Sequence, residues 1–182
     1  TLSLKIITDS TCDMTLQELH ELGVVRVPLN VHFKGRSWLD WEEITPAEII
    51  GGVEAGADMP TTSQPSPEAF AEKYREAAAA GASEVLVITI SSELSGTYQS
   101  AMLASQDMDL PVTVFDSRAA SVGIAHLVRK ATELRDQGQS VADMLPVLER
   151  IRDTNLPFIT VGGLEFLQKG GRLGKAAAVI GG

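Results

Sequence analysis

The run Val85-Leu86-Val87-Ile88-Thr89-Ile90 is almost wholly apolar and reads as a strand. Leu4-Lys5-Ile6-Ile7-Thr8 reads as an earlier one, opening the chain and entering the polar turn Asp9-Ser10-Thr11-Cys12-Asp13. Residues 24–33 alternate toward a second strand, with Lys34-Gly35-Arg36 as a turn, and residues 111–115 form a further strand ending at Asp116-Ser117. Between these lie helical segments with start and stop signals. Thr15-Leu16-Gln17-Glu18 has capping-box form and opens a short helix ending near Gly23. Thr45-Pro46-Ala47-Glu48 joins a hydroxyl cap, a proline at the first helical position and an acid two residues further on. Residues 51–59 are glycine-rich and lose periodicity, so they are expected to form a loop. Ser66-Pro67 starts the next helix, through about Ala80, with Gly81 as its stop. Further helices are expected over residues 95–105, 119–136 and 141–152, then a short strand over 158–161 and a helix over 164–169 ending in Gly170-Gly171-Arg172. Strands alternating with helices call for an α/β fold, a parallel sheet with helices on both faces.

Composition narrows the classes of function. Hydrophobic residues make up 44% and charged residues 21%, enough for a packed core. Fifteen Lys and Arg face 24 Asp and Glu, a net charge of -9, which argues against a nucleic-acid surface or an anionic membrane surface. A single cysteine, Cys12, allows no internal disulfide and no cysteine zinc set. The sequence carries no signal segment or bilayer-length apolar run, so a cytoplasmic, non-spanning protein is the expectation. No internal repeat is present.

Two hydroxyl-rich turns carry the chemistry. One is Thr62-Ser63-Gln64-Pro65-Ser66; the other is Ser91-Ser92-Glu93-Leu94-Ser95-Gly96-Thr97, directly after the apolar strand. Open α/β sheets bind ligands at the carboxyl ends of their strands, and hydroxyls with free backbone N–H groups at a helix start suit an anion. Serine is also a common helix cap, which would account for Ser66 and Ser95 singly, but not for six hydroxyl residues (Thr62, Ser63, Ser66, Ser91, Ser92 and Ser95) in two turns. A hydrolase elbow needs glycines two before and two after its serine, whereas Glu93 and Thr97 flank Ser95. A phosphate loop fails at Gly174-Lys175, which Ala176 follows instead of a hydroxyl. Asp9 and Asp116 stand at strand ends, where short carboxylates satisfy backbone N–H groups. Cys12 lies between Asp9 and Asp13, a setting that disfavours a thiolate. The pair Gly170-Gly171 permits close backbone approach beside Arg172.

Together, Thr8-Asp9-Ser10-Thr11-Cys12-Asp13, the two hydroxyl turns with Tyr98, Asp116-Ser117 and Gly170-Gly171-Arg172 resemble the DegV family of fatty-acid-binding proteins, in the family's order. The resemblance implies a carrier without catalysis, cofactor or metal. It implies one long-chain fatty acid held in an apolar tunnel and presented to a separate kinase subunit resembling dihydroxyacetone kinase, which makes the acyl phosphate. It places the carboxylate contacts on Thr62 and Ser95. Asp9, Ser10, Ser63, Ser92, Gly96, Thr97 and Asp116 would support them, with Gly171 and Arg172 near a lobe junction. Family members run on for about another small domain. Residues 1–156 are therefore expected to form the lobe with the headgroup site, and residues 157–182 the beginning of a second lobe. Two other readings stay open: a serine-based acyl hydrolase or transferase using Ser95, and a regulatory module binding a small anion.

Overall fold

The computed structural model describes residues 3–154, 168–172 and 174–175. The strand expected over 158–161, most of the helix expected over 164–169 and the lobe expected from residue 157 lie outside the described residues, apart from helical Gln168 and Lys169.

Four parallel strands form the main sheet: β1 (Leu4–Asp9), β2 (Val24–Val27), β6 (Glu84–Thr89) and β7 (Val112–Asp116), in the order β2-β1-β6-β7. Its central strands are buried on both faces, as a parallel sheet covered by helices requires. Ile6, Leu86 and Ile88 pack with one side's cluster, which includes Ile124, Leu127 and Val128 of α5 (Val122–Asp136) and Met144 and Leu148 of α6 (Val141–Thr154). Ile7, Val85 and Val87 pack the other way, against Phe70 and Tyr74 of α3 (Pro67–Ala79) and Ala101 and Ala104 of α4 (Thr97–Ser105). Tyr74 is fully buried and its hydroxyl donates to the Ala101 carbonyl at 3.0 Å, tying α3 to α4. The expected α/β class, with helices on both faces, is therefore the observed one.

The chain leaves β1 toward β2 on one side and returns through β6 on the other. Strand order thus reverses between β1 and β6, and ligands of open α/β sheets lie outside the carboxyl ends of strands at such a point. Asp9 and Thr89 end those two strands.

A second, antiparallel sheet of order β4-β3-β5 sits between β2 and α3 in sequence: β3 (Asn30–Phe33), β4 (Arg36–Leu39) and β5 (Thr61–Ser63). Val31, Phe33 and Ile44 form its small core, closed by Trp38 and by Ile49 and Val53 of α2 (Pro46–Glu54). The second strand expected over residues 24–33 is two strands in different sheets. Pro28 has no N–H to continue a ladder, and the Leu29 N–H donates instead to the Ser10 hydroxyl at 3.0 Å.

The loop expected over 51–59 is shorter, because α2 runs through Gly51 and Gly52 to Glu54 and only residues 55–59 lie outside regular elements. A β-carbon at Gly52 would come within 2.7 Å of the Phe33 ring, so this glycine lets helix and sheet approach. Capping boxes close at both expected helix starts: Glu18 accepts from the Thr15 N–H at 2.7 Å, and Glu48 from the Thr45 N–H at 2.8 Å. The helices expected from 95 and 119 begin at Thr97 and Val122.

Cys12 is buried beneath the β1 exit, and burial pushes its thiol up to about 11. At pH 8 about one thiol in a thousand is then ionised, and the thiolate is the reactive form. The native protein is expected to resist alkylation at pH 8 and to react only after unfolding. Fast labelling of the folded protein would contradict this placement.

Candidate functional site

Asp9 is fully buried at the strand-order reversal. One carboxylate oxygen accepts from the Thr11 N–H at 2.8 Å and the Thr11 hydroxyl at 2.5 Å; the other accepts from the Ile90 N–H at 2.7 Å. Asp9 therefore ties the end of β1 to the segment leaving β6. Burial raises its pKa above the usual carboxylate value, and the bonds from Thr11 and Ile90 hold part of that rise back. Ser10, next in the chain, takes the Leu29 N–H and so anchors the crossing from β2 into the small sheet.

The turn after β6 is fixed on its other side by β7. Asp116 accepts from the Ser92 hydroxyl at 2.5 Å and the Ser92 N–H at 3.2 Å, and its Oδ1 also accepts from the Arg118 N–H at 2.9 Å. The Ser117 N–H donates to the Thr89 carbonyl at 3.2 Å, and the Ser91 N–H to Ala119 at 2.9 Å. Two strand-end carboxylates thus hold residues 90–92 by backbone N–H groups, and Ser95 follows on a braced loop.

Ser95 does not cap α4. The cap position is Gly96, which makes no side-chain capping bond. Ser95 Oγ lies 2.9 Å from the buried Thr97 hydroxyl and accepts the Thr97 N–H at 3.3 Å. Ser66, by contrast, is a cap: its hydroxyl accepts from the Ala69 N–H at 3.1 Å. The two serines, alike in sequence, separate here into one with a structural duty and one half-buried hydroxyl beside a helix start.

The other hydroxyl turn is in part a strand. Thr62 lies in the middle of β5, opposite Val31, and is exposed. Ser63 is held by His32: Nε2 lies 2.9 Å from the Ser63 hydroxyl while Nδ1 lies 2.7 Å from the Ser37 hydroxyl. One imidazole therefore spans all three strands of the small sheet and fixes β5 at its edge.

The two hydroxyl segments meet through Gln64 and Gly96. A β-carbon on Gly96 would lie 2.6 Å from both terminal atoms of the Gln64 amide. Gly96 has an ordinary backbone conformation, φ -75°. Its lack of a side chain serves close approach, not a special turn. Thr62 is two residues from Gln64, at most about 7 Å of extended chain, and Ser95 adjoins Gly96. Thr62 and Ser95 thus stand on segments in direct contact near the carboxyl edge of the parallel sheet. Gln64 lines a cleft of about 610 Å³ whose apolar walls include Val27, Leu39 and Pro67 and whose polar walls include Glu42, Glu72 and Lys73.

Among the described residues no hydrogen bond brings Gly171 or Arg172 to this site. Among the described residues their contacts are local: Gly171 N–H donates to Gln168 at 3.0 Å, and Arg172 Nη1 to Gly170 at 2.5 Å. Gly171 has φ +70°, a left-handed turn residue. Among the described residues the hydroxyl of Ser95 bonds Thr97 and no histidine. No metal-binding cluster occurs among the described residues, and no helix there is long and apolar enough to cross a membrane.

Sequence reasoning missed His32, Gln64 and Asp40. Asp40 sits by Ser10 and Arg26, and burial raises its pKa above the usual carboxylate value, with Ser10 and Arg26 holding part of that rise back.

Comparison with known proteins gives a consistent set. Residues 3–182 match the family model described as "Uncharacterised protein, DegV family". A DegV domain-containing protein of Deinococcus radiodurans is 42% identical over 181 residues, covering 100% of this chain and 64% of that protein. A solved Thermus thermophilus structure, described as fatty acid binding of a DegV family protein, is 48% identical with a TM-score of 0.88, over 99% of this chain and 64% of that one. The Streptococcus pneumoniae fatty acid kinase B3 protein loaded with linoleic acid is 25% identical with a TM-score of 0.69, over 84% and 55%. The chain spans less than two thirds of the length of these relatives.

Proposed function

The chain belongs to the DegV family, and from that premise we propose that it holds one long-chain fatty acid, with Thr62 and Ser95 on the carboxylate, and presents that acid to a separate kinase subunit for acyl-phosphate formation. The observation that carries the reading is the Gln64–Gly96 contact, which brings the two hydroxyl segments together near the carboxyl edge of the parallel sheet, where ligands of such sheets commonly lie. Solved relatives described as binding fatty acids support the ligand class, and the kinase-associated relative supports the partner.

Tail and head contribute differently. Burying a methylene is worth ~0.8 kcal/mol, so a long acyl tail supplies on the order of 10 kcal/mol gross. Two hydroxyl bonds to a carboxylate add ~2–5 kcal/mol before desolvation. The tail sets affinity and the hydroxyls set orientation. A carboxylate held by neutral hydroxyls stays open to a phosphate donor.

In this reading the protein works in the cytoplasm without catalysis of its own. In the same reading residues 1–156 make up the headgroup lobe and 157–182 belong to the beginning of a second lobe. Against the hydrolase alternative stands the hydroxyl that Ser95 bonds among the described residues, that of Thr97, which is no general base.

Mass spectrometry of an organic extract of the purified protein tests the proposal. It is expected to show a long-chain fatty acid near one per chain. A phosphate ester, or no lipid after incubation with fatty acid, would contradict it.

A further inference from the structure

Gln64 is placed as though its amide had a second duty. Its terminal atoms pack against Gly96, the residue after Ser95, while Gln64 itself lines the 610 Å³ cleft. The amide has no hydrogen-bond partner among the described residues. His32 and Ser63 fix the strand immediately before it, and Ser66 anchors the helix immediately after it. A side chain on rigid backbone, with a donor that bonds nothing among the described residues and lies beside Ser95, is well placed to meet whatever Ser95 holds.

Resting on the fatty-acid reading above, we propose that the Gln64 side-chain amide is a further headgroup contact, donating an N–H to the bound carboxylate and setting the preference for an acid over a neutral head of the same chain length. A primary amide carries two donors, and a donor bonds an ionised oxygen more strongly than a neutral one. Gly96 is part of the device, because any side chain there drives the amide out of position. Gln64 is exposed at the end of a flexible side chain, so displacing it need not disturb the fold.

The test measures displacement of a fluorescent fatty acid by palmitic acid and by the matching C16 alcohol. The purified wild type is compared with Gln64→Glu, Gln64→Met and Gly96→Ala, each checked for its thermal midpoint. Gln64→Glu keeps the shape and replaces the donor by a like charge. It is expected to weaken palmitic acid at least tenfold while changing the alcohol less than threefold. Gln64→Met and Gly96→Ala are expected to weaken the acid three- to tenfold and to narrow the acid-over-alcohol ratio, with midpoints close to wild type.

The inference is overturned if Gln64→Glu binds palmitic acid as wild type does. It is also overturned if acid and alcohol weaken equally in all three variants, the signature of a purely structural glutamine. Failure of the wild type to bind palmitic acid would instead remove the fatty-acid reading, and this inference with it.

Discussion

Replacing Thr62 and Ser95 together by alanine is expected to lower fatty-acid affinity by roughly 30- to several-thousand-fold, the equivalent of losing ~2–5 kcal/mol of hydroxyl bonds to a carboxylate. The fold should tolerate the change. Thr62 is exposed, and β5 is held by its backbone pairing to β3 and by the His32–Ser63 bond. Ser95 is not the cap of α4, and the residues before it are held through Asp9 and Asp116. Each single substitution should give a smaller loss, because one hydroxyl still orients the head. Acyl-phosphate formation with a partner kinase should fall further than binding, since a misaligned carboxylate is bound but poorly presented. Binding by displacement titration, beside a thermal melt, separates these effects. Wild-type affinity and acyl-phosphate formation in the double variant would rule out these two residues as the headgroup contacts.

Asp9→Ala is expected to be the most destabilising change at the site, by about 2–4 kcal/mol near pH 7. It strips the acceptor from the Thr11 and Ile90 N–H groups where the surroundings are closed to water. Relief of a buried charge offsets part of the loss.

The pH dependence follows from the direction of the Asp9 shift. Burial raises the folded pKa above the unfolded one. The folded state therefore binds the proton more tightly, and Asp9's contribution is largest below the unfolded value, about 3.9. That contribution falls as pH rises through the folded value. The stability gap between wild type and Asp9→Ala should thus be wider at pH 5 than at pH 8, as read by urea denaturation at both. A gap below about 1 kcal/mol at both, or one that narrows at pH 5, would mean that Asp9 does not brace the β1–β6 edge as described.

The main sheet was legible because its strands advertise burial on both faces. Residues 85–88 carry apolar, largely β-branched side chains toward both helix layers, and so short a run before a hydroxyl turn fits a buried strand better than a helix. The small sheet was not legible, for local reasons. β5 is three exposed hydroxyl residues with no apolar pattern, and only its backbone bonds to β3 make it a strand. β2 and β3 read as one run because apolar residues continue across Pro28, while the switch between sheets depends on Ser10, distant in sequence, taking the Leu29 N–H.

The candidate site divided the same way. Turn chemistry pointed to the hydroxyls, and strand-end carboxylates announced themselves as backbone acceptors, which Asp9 and Asp116 are. What the sequence could not convey is which serine is spent on a helix cap, and that Gln64 lies on Gly96 across a separation of 32 residues. Such contacts follow from sheet order, which only the folded chain specifies.

A crystal structure of the protein with a long-chain fatty acid bound tests the central claim most directly. The account requires one carboxylate within hydrogen-bond distance of both the Thr62 and Ser95 hydroxyls, with the acyl chain running into apolar surroundings. A carboxylate that touches neither hydroxyl, or a lipid seated elsewhere on the protein, would contradict it.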